Sequence, residues 1–402
     1  MKKLLAVVLS LVLALGVFAM AGCQNTTPTQ PATKTVKVGF IYLHDENSTY
    51  DRNFMNGAKA ACEALGVEYL QKFPIPESAE CKEAALDLID AGCNIIFADS
   101  FGHEQFLIEA AKEKPDVQFC HATGTMAHTE GLANMHNAFA SIYEGRYLAG
   151  VAAGMKLNEM IAAGQFTAAD AKMGYVGAFT YAEVISGYTS FYLGAKSVCP
   201  TVTMEVTFTG SWYDEAKEKE AAQKLLANGC KLISQHADSM GAPTACETAG
   251  VPNVSYNGST LSACPNTFII SSRIDWQPYM EYMIKCVQEG KAIDTDWTGT
   301  LKTGSVALTD VNTKAAAAGT AEKLAAVKAD LEAGKIHVFD TSTFTVGGQT
   351  LTSYKADVDT DAAYTPDTEV ISGGYFHESE YRSAPYFDLR IDGIVLLDEN
   401  YG

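Results

Sequence analysis

Two successive series of short β-rich runs, each followed by a helical stretch, constrain this chain more than any other feature. In the first series, strands are expected at 36–42, 94–98 and 117–121, with helices over 52–65 and 104–112. A long helix is expected from about Phe139 to Asn158. The second series places strands at 173–178, 204–209, 231–234, 253–256 and 267–271, and helices over 182–195, 214–227 and 278–288. Such alternation builds parallel sheets with helices on both faces. Two series in tandem therefore predict an α/β fold of two doubly wound lobes. The tail differs: 344–350 reads as a hairpin and 357–368 as an acidic loop.

The N-terminus carries a separate signal. Lys2 and Lys3 precede an unbroken apolar run that ends in Met20-Ala21-Gly22-Cys23. This is the layout of a secretory signal peptide, and the small residues before Cys23 suit cleavage and lipid attachment there. Met20 stands where such sites usually have Leu, Val or Ile. Residues 24–35 are rich in Thr, Pro, Asn and Gln and read as a flexible tether.

Charge and cysteine usage narrow the function class. The net charge of −19 argues against a nucleic-acid partner, which needs a basic surface. None of the ten cysteines forms a C-x-x-C pair, and several sit in apolar runs as small core residues. Nine remain once Cys23 is set aside, so at least one thiol is expected to be free. Asp45, Glu46 and Asp51 lie close together, but without a second acidic cluster they make a poor metal site. No metal, cofactor or catalytic residue is assigned.

In open parallel sheets, ligands bind at the carboxyl ends of the strands. The loops there contain Tyr50 and Asp51, then Ser100 and Phe101, then Thr123 and Gly124. In the second series they contain Tyr181, Gly210 and Trp212, His236 and Asp238, and Asn257, with Trp276 after the last strand as a further candidate. Aromatics, amides and carboxylates facing each other across a cleft suit a flat, nitrogen-rich ligand. Each residue also has a plainer reading. Tyr50 could pack at a helix entry, Asp214 could cap its helix, His236 could be a structural histidine, Asp238 could cap the following helix, and Trp276 could pack at a lobe boundary.

The stretches Gly39-Phe40-Ile41-Tyr42, Ser100-Phe101-Gly102, His121-Ala122-Thr123-Gly124, Tyr143 to Gly154, Gly210-Ser211-Trp212-Tyr213-Asp214 and Gln235-His236-Ala237-Asp238-Ser239 together resemble the basic membrane protein family, which includes PnrA-like nucleoside receptors. The resemblance implies the type I periplasmic binding protein fold, with two α/β lobes joined by a multi-strand hinge. It implies a solute-binding lipoprotein feeding the permease and ATPase subunits of an ABC importer with a purine base or nucleoside. Tyr50 and Trp212 would then sandwich the base, and Asp238 would read its ring nitrogens. Nucleoside-binding relatives carry an Asp near position 257, where this chain has Tyr256-Asn257-Gly258-Ser259. The Gln-His-x-Asp-Ser motif resembles the branch associated with free bases, so adenine leads. A sensory receptor for a membrane kinase and a nucleoside-processing enzyme are the rival classes.

The expected division is a signal peptide over 1–22, a tether over 23–35, an N-terminal lobe over 36–126 plus 271–292, a C-terminal lobe over 127–270 plus 293–335, and an extension over 336–402 packed on the lobes.

Overall fold

A computed structural model describes residues 34–358 and 365–401. The expected signal peptide, the lipid site at Cys23 and nearly all of the tether lie outside the described residues, as does part of the acidic loop.

The first half of the chain builds β1 (Lys37–Ile41), α1 (Thr49–Leu65), β2 (Glu68–Lys72), α2 (Ala79–Asp90), β3 (Ile95–Ala98), α3 (Glu104–Glu113), β4 (Gln118–Ala122), α4 (Ala127–Glu130) and β5 (Met135–Ala140). Then come α5 (Ile142–Ala162), β6 (Lys172–Gly177), α6 (Ala182–Val198), β7 (Thr203–Phe208), α7 (Glu215–Ala227), β8 (Leu232–Gln235), α8 (Gly241–Ala249), β9 (Asn253–Tyr256) and β10 (Phe268–Ile274). The chain continues through α9 (Gln277–Glu289), β11 (Asp296–Gly299), β12 (Val306–Leu308) and α10 (Thr320–Glu332). Short strands β13 to β16 follow between Lys355 and Phe376, and β17 (Ile394–Leu396) comes last.

Thirteen of these strands form two large sheets, ordered β11-β5-β4-β3-β1-β2 and β12-β10-β9-β8-β6-β7-β17, and β13-β14 and β15-β16 form two small two-stranded ones. Within the two large sheets only β12 runs antiparallel to its neighbour. Every residue of β3 is buried, as expected of a parallel strand covered by helices on both faces. The order reverses between β1 and β3 in one sheet and between β6 and β8 in the other. Each reversal opens a crevice at the carboxyl ends of the strands, and the two crevices face each other.

The sheet membership corrects the expected lobe boundaries. A break after residue 126 would separate β4 from β5, which are paired neighbours. Met135 to Ala140 is a strand and not the approach to the long helix, which starts only at Ile142. β10 pairs with β9 in the second sheet, so residues 271–274 belong there and not with the first. β11 pairs with β5 in the first sheet, against the placement of 293–335. The physical reason is that the chain crosses between sheets three times, at Ser141, at Asp275-Trp276 and over residues 300–305. These crossings are lashed together: the Ser141 amide donates to the Gly299 carbonyl at 2.8 Å, and the Asp275 amide to the Ser305 carbonyl at 2.6 Å. The expected extension over 336–402 also contributes β17, which pairs with β7 as the outer strand of the second sheet. The hairpin expected over 344–350 is a tight turn closed by reciprocal Val346–Gln349 bonds.

Nine cysteines, from Cys62 to Cys286, are buried and free. Burial pushes the thiol of Cys62 up to about 12 and that of Cys264 to about 11, so both stay protonated and inert.

Candidate ligand-binding site

One cavity lies where the two crevices meet. The first sheet contributes Leu43 and His44 after β1, Tyr50 in the first turn of α1, Ser100 and Phe101 after β3, and Thr123 after β4. The second contributes Glu183 at the start of α6, Trp212 after β7, His236 and Asp238 after β8, and Tyr256 ending β9.

The first wall is tied down by its own hydrogen bonds. Ser48 caps α1, accepting from the Asp51 amide, an arrangement worth about 1 kcal/mol. The buried Asp51 carboxylate accepts from the His44 amide at 2.8 Å and the Ser48 hydroxyl at 2.5 Å, and lies 3.2 Å from His44 Nδ1. Burial raises its pKa, but the His44 and Ser48 bonds outweigh that and hold it below the usual carboxylate range. The Tyr50 hydroxyl donates to the Asp99 carbonyl at 2.7 Å. The turn carrying Ser100 and Phe101 is clamped by Glu77, which accepts from the Ser100 hydroxyl and the Gly102 amide. His121 Nε2 donates to the Ser100 carbonyl at 2.7 Å. Thr123 sits at φ 66°, a left-handed conformation that a β-branched residue rarely adopts and that the surrounding fold must impose.

The second wall keeps unpaired polar groups. Asp238 is fixed through its backbone: its amide donates to the Trp212 carbonyl at 3.0 Å, and its carbonyl accepts from the Thr49 amide and hydroxyl across the cleft. Its side-chain Oδ1 is buried without a partner among the described residues, and so is the Tyr256 hydroxyl. Burial, then the nearby Asp51, Glu218 and Glu183 carboxylates, push the Asp238 pKa well above the usual range.

Behind this wall stands Arg146, buried in an otherwise apolar stretch of α5. Its guanidinium carbon lies 3.3 Å from the Tyr256 ring centre, a cation–π contact. It donates to the Gln235 carbonyl at 2.8 Å and to His236 Nδ1 at 2.9 Å. An arginine can only donate, so Nδ1 accepts and the proton resides on Nε2, which faces Glu183 Oε1 at 3.3 Å. Burial, reinforced by Arg146, lowers the His236 pKa and keeps the ring neutral.

Aromatic rings close the cavity. Phe101 and Tyr181, 43% and 38% exposed, meet across the sheets with ring centres 5.7 Å apart and form a rim. Tyr181 continues into Phe179 at 5.2 Å, and Phe179 into Trp212 at 4.9 Å. His44 and Tyr213 make a second cross-cleft contact at 5.5 Å.

Seven of the expected residues thus line the cavity: Tyr50, Ser100, Phe101, Thr123, Trp212, His236 and Asp238. Tyr181 stands at the rim. Five do not reach it. Asp51 is used up within the first loop. Trp276 is a core residue, stacked on Phe54 at 4.2 Å. Gly124 fills a tight spot, where a Cβ would come within 2.1 Å of Asn137 Nδ2 and 2.3 Å of Glu104 Oε1. Gly210 packs against Tyr401. Asn257 lines an adjoining polar cleft with Thr49, Arg52 and Arg273. Asp214 does cap α7, accepting from the Lys217 amide.

Leu43, His44, Glu183 and Tyr256 were not anticipated, nor was Arg146. A lone arginine in an apolar helix was the available signal, because a buried guanidinium must find partners.

Among the described residues, no group of three or more His, Cys, Asp or Glu side chains is placed to hold a metal ion, and no helix is long and apolar enough to cross a membrane. Two facing sheets, three crossings and a cavity between the switch points define the fold of the type I periplasmic binding proteins. Solved structures share the fold. A solute-binding protein of an ABC transporter system from Aeropyrum pernix matches at TM-score 0.64 and 19% identity, over 76% of this chain and 93% of that one. Another from Conexibacter woesei matches at TM-score 0.60 and 19% identity, over 75% and 98%.

The chain belongs to the Bmp family, described as "ABC transporter substrate-binding protein PnrA-like", whose profile matches residues 41–332. Its members are solute-binding proteins and not enzymes, and they work outside the cytoplasm. A purine-binding protein of Brucella abortus is 33% identical over 64% of this chain and 71% of its own length. A putative ABC transporter glucose-binding protein of Haloferax volcanii is also 33% identical, over 52% of this chain and 50% of its own length. An ABC transporter nucleoside-binding protein of Lactococcus lactis is 26% identical over 60% and 67%.

Proposed function

We propose that this protein captures a purine between its two sheets, a free base such as adenine being favoured, and delivers it to an ABC permease while held to the membrane by a lipid on Cys23. The observation that carries this reading is the pairing of Tyr50 and Trp212, on opposite walls of one cavity, with the unpaired Asp238 Oδ1 and Tyr256 hydroxyl beside them. Base–aromatic stacking contributes roughly 1–3 kcal/mol per base. Unpaired buried polar groups discriminate by penalising a ligand that leaves them unmatched. The purine-binding relative in Brucella abortus supports the same class.

A nucleoside is the second reading, favoured by the adjoining polar cleft at Asn257, whose buried Nδ2 has no partner among the described residues. Mass spectrometry of the ligand carried through native purification separates the readings. A purine base is the expected result; a nucleoside supports the alternative, and a sugar overturns both.

A further inference from the structure

Residues 377–401 lie beyond the segment matched by the family profile, yet their last part touches two loops that form the cavity wall. β17 adds to the sheet edge by pairing Ile394, Val395 and Leu396 with Met204, Glu205 and Val206 of β7. Asp398 then accepts from the Phe208 amide at 2.9 Å and the Thr207 hydroxyl at 2.6 Å, and Lys224 Nζ lies 3.4 Å away. At Tyr401 the backbone carbonyl accepts from both the amide of Thr180, at 2.6 Å, and its hydroxyl, at 2.5 Å. The Tyr401 ring packs beneath Gly210, so that a Cβ at this glycine would lie 2.6 Å from the ring. Gly210 also has φ 67°, a conformation that favours glycine.

Thr180 immediately precedes Tyr181, and Gly210 stands two residues before Trp212. One residue, Tyr401, therefore holds both loops whose aromatics stand at the rim and wall of the cavity. We infer that residues 394–401 are a brace for the ligand site and that Tyr401 is a positioning residue, fixing Tyr181 and Trp212 before the ligand arrives. Ordering side chains in advance removes part of the entropy that binding would otherwise cost. The brace is local to the second wall; its contacts at Thr180, Thr207, Phe208, Gly210 and Lys224 all lie on elements of the second sheet.

The inference rests on the ligand site being the one described above, but its test does not depend on which ligand that site takes. Hydrogen exchange is followed in the ligand-free full chain, in Tyr401→Ala, in Tyr401→Phe and in a chain ending at Asp392, and adenine is titrated into each. Tyr401→Ala should speed exchange at 179–181 and 210–212 while the amides of β8 and β9 keep their protection. Its adenine dissociation constant should rise roughly fivefold to twentyfold, with Tyr401→Phe close to wild type and the chain ending at Asp392 at least as impaired as Tyr401→Ala. Unchanged exchange at both loops would overturn the inference, and so would a uniform rise across the second sheet, which would mark the segment as an ordinary edge strand. Should the wild type bind no adenine, the purine reading fails and the exchange measurement alone decides the brace.

Discussion

Asp51, in the first turn of α1, and Asp238, in the loop after β8, are both buried acids on opposite sides of the cleft, yet the fold uses them differently. Asp51 is saturated by His44 and Ser48 and stabilises the entry to α1. Asp238 is held by its backbone, and its Oδ1 is left without a partner among the described residues. On the proposed reading, the first is a structural group and the second a recognition group. A binding site needs both: a wall rigid enough to present an aromatic face, and a few polar atoms whose partners are supplied by the ligand.

Their opposite pKa shifts make the contrast measurable. Asp51 has a folded-state pKa below its unfolded value, so its contribution to stability is present above the unfolded pKa and is lost as pH falls through the folded one. Asp238 has a folded-state pKa above its unfolded value, so the folded state holds the extra proton. Its contribution is full below the unfolded pKa and is lost as pH rises towards and through the folded one.

The largest expected effect is on stability. Asp51→Ala strands the Ser48 hydroxyl and the His44 amide and should cost roughly 3 kcal/mol, read as a fall of several degrees in Tm at neutral pH. Asp238→Asn should leave Tm at neutral pH unchanged or higher, because it removes the cost of holding a buried carboxyl protonated beside Asp51, Glu218 and Glu183. Equal losses in the two variants would erase the distinction between the walls.

The next effect is on affinity. Trp212→Ala should weaken adenine binding by roughly 1–3 kcal/mol, the stacking contribution, with little loss of stability because Trp212 is only half-buried. Wild-type affinity in this variant would show that the indole only packs against Phe179. A smaller effect is expected at the rim, where Phe101→Ala should weaken binding by no more than about fivefold, since exposed edge contacts contribute less than buried ones. A larger loss would move the energetic centre of the site from the wall to the rim.

Much of this arrangement was legible in the sequence, and the exceptions share a cause. The rule that ligands meet strand ends located the loops, but not which side chains in a loop face the cavity. Tyr50 and Asp51 are neighbours, and one faces the ligand space while the other turns back into its own loop. Trp276 follows a strand just as Trp212 does, but it follows β10 at a crossing between sheets, where it packs on Phe54. Tyr256 was read as part of a strand, and its place at the end of β9 lines the cavity. The lobe boundaries were misplaced because β5 and β11 join the first sheet only through pairing with distant strands, which local periodicity does not report.

Calorimetric titration of adenine, guanine, hypoxanthine and adenosine into the wild type and Asp238→Asn tests the central claim most directly. The protonated Asp238 carboxyl offers one O–H donor beside an acceptor oxygen, whereas the amide offers an NH2 with two donors, so the pattern presented to the ligand changes. The account predicts that the wild type binds a free base more tightly than adenosine, and that Asp238→Asn changes the order of preference among the bases more than it lowers the affinity for all of them. An unchanged order in Asp238→Asn would contradict the account, because the free oxygen on the second wall would then not read the ligand.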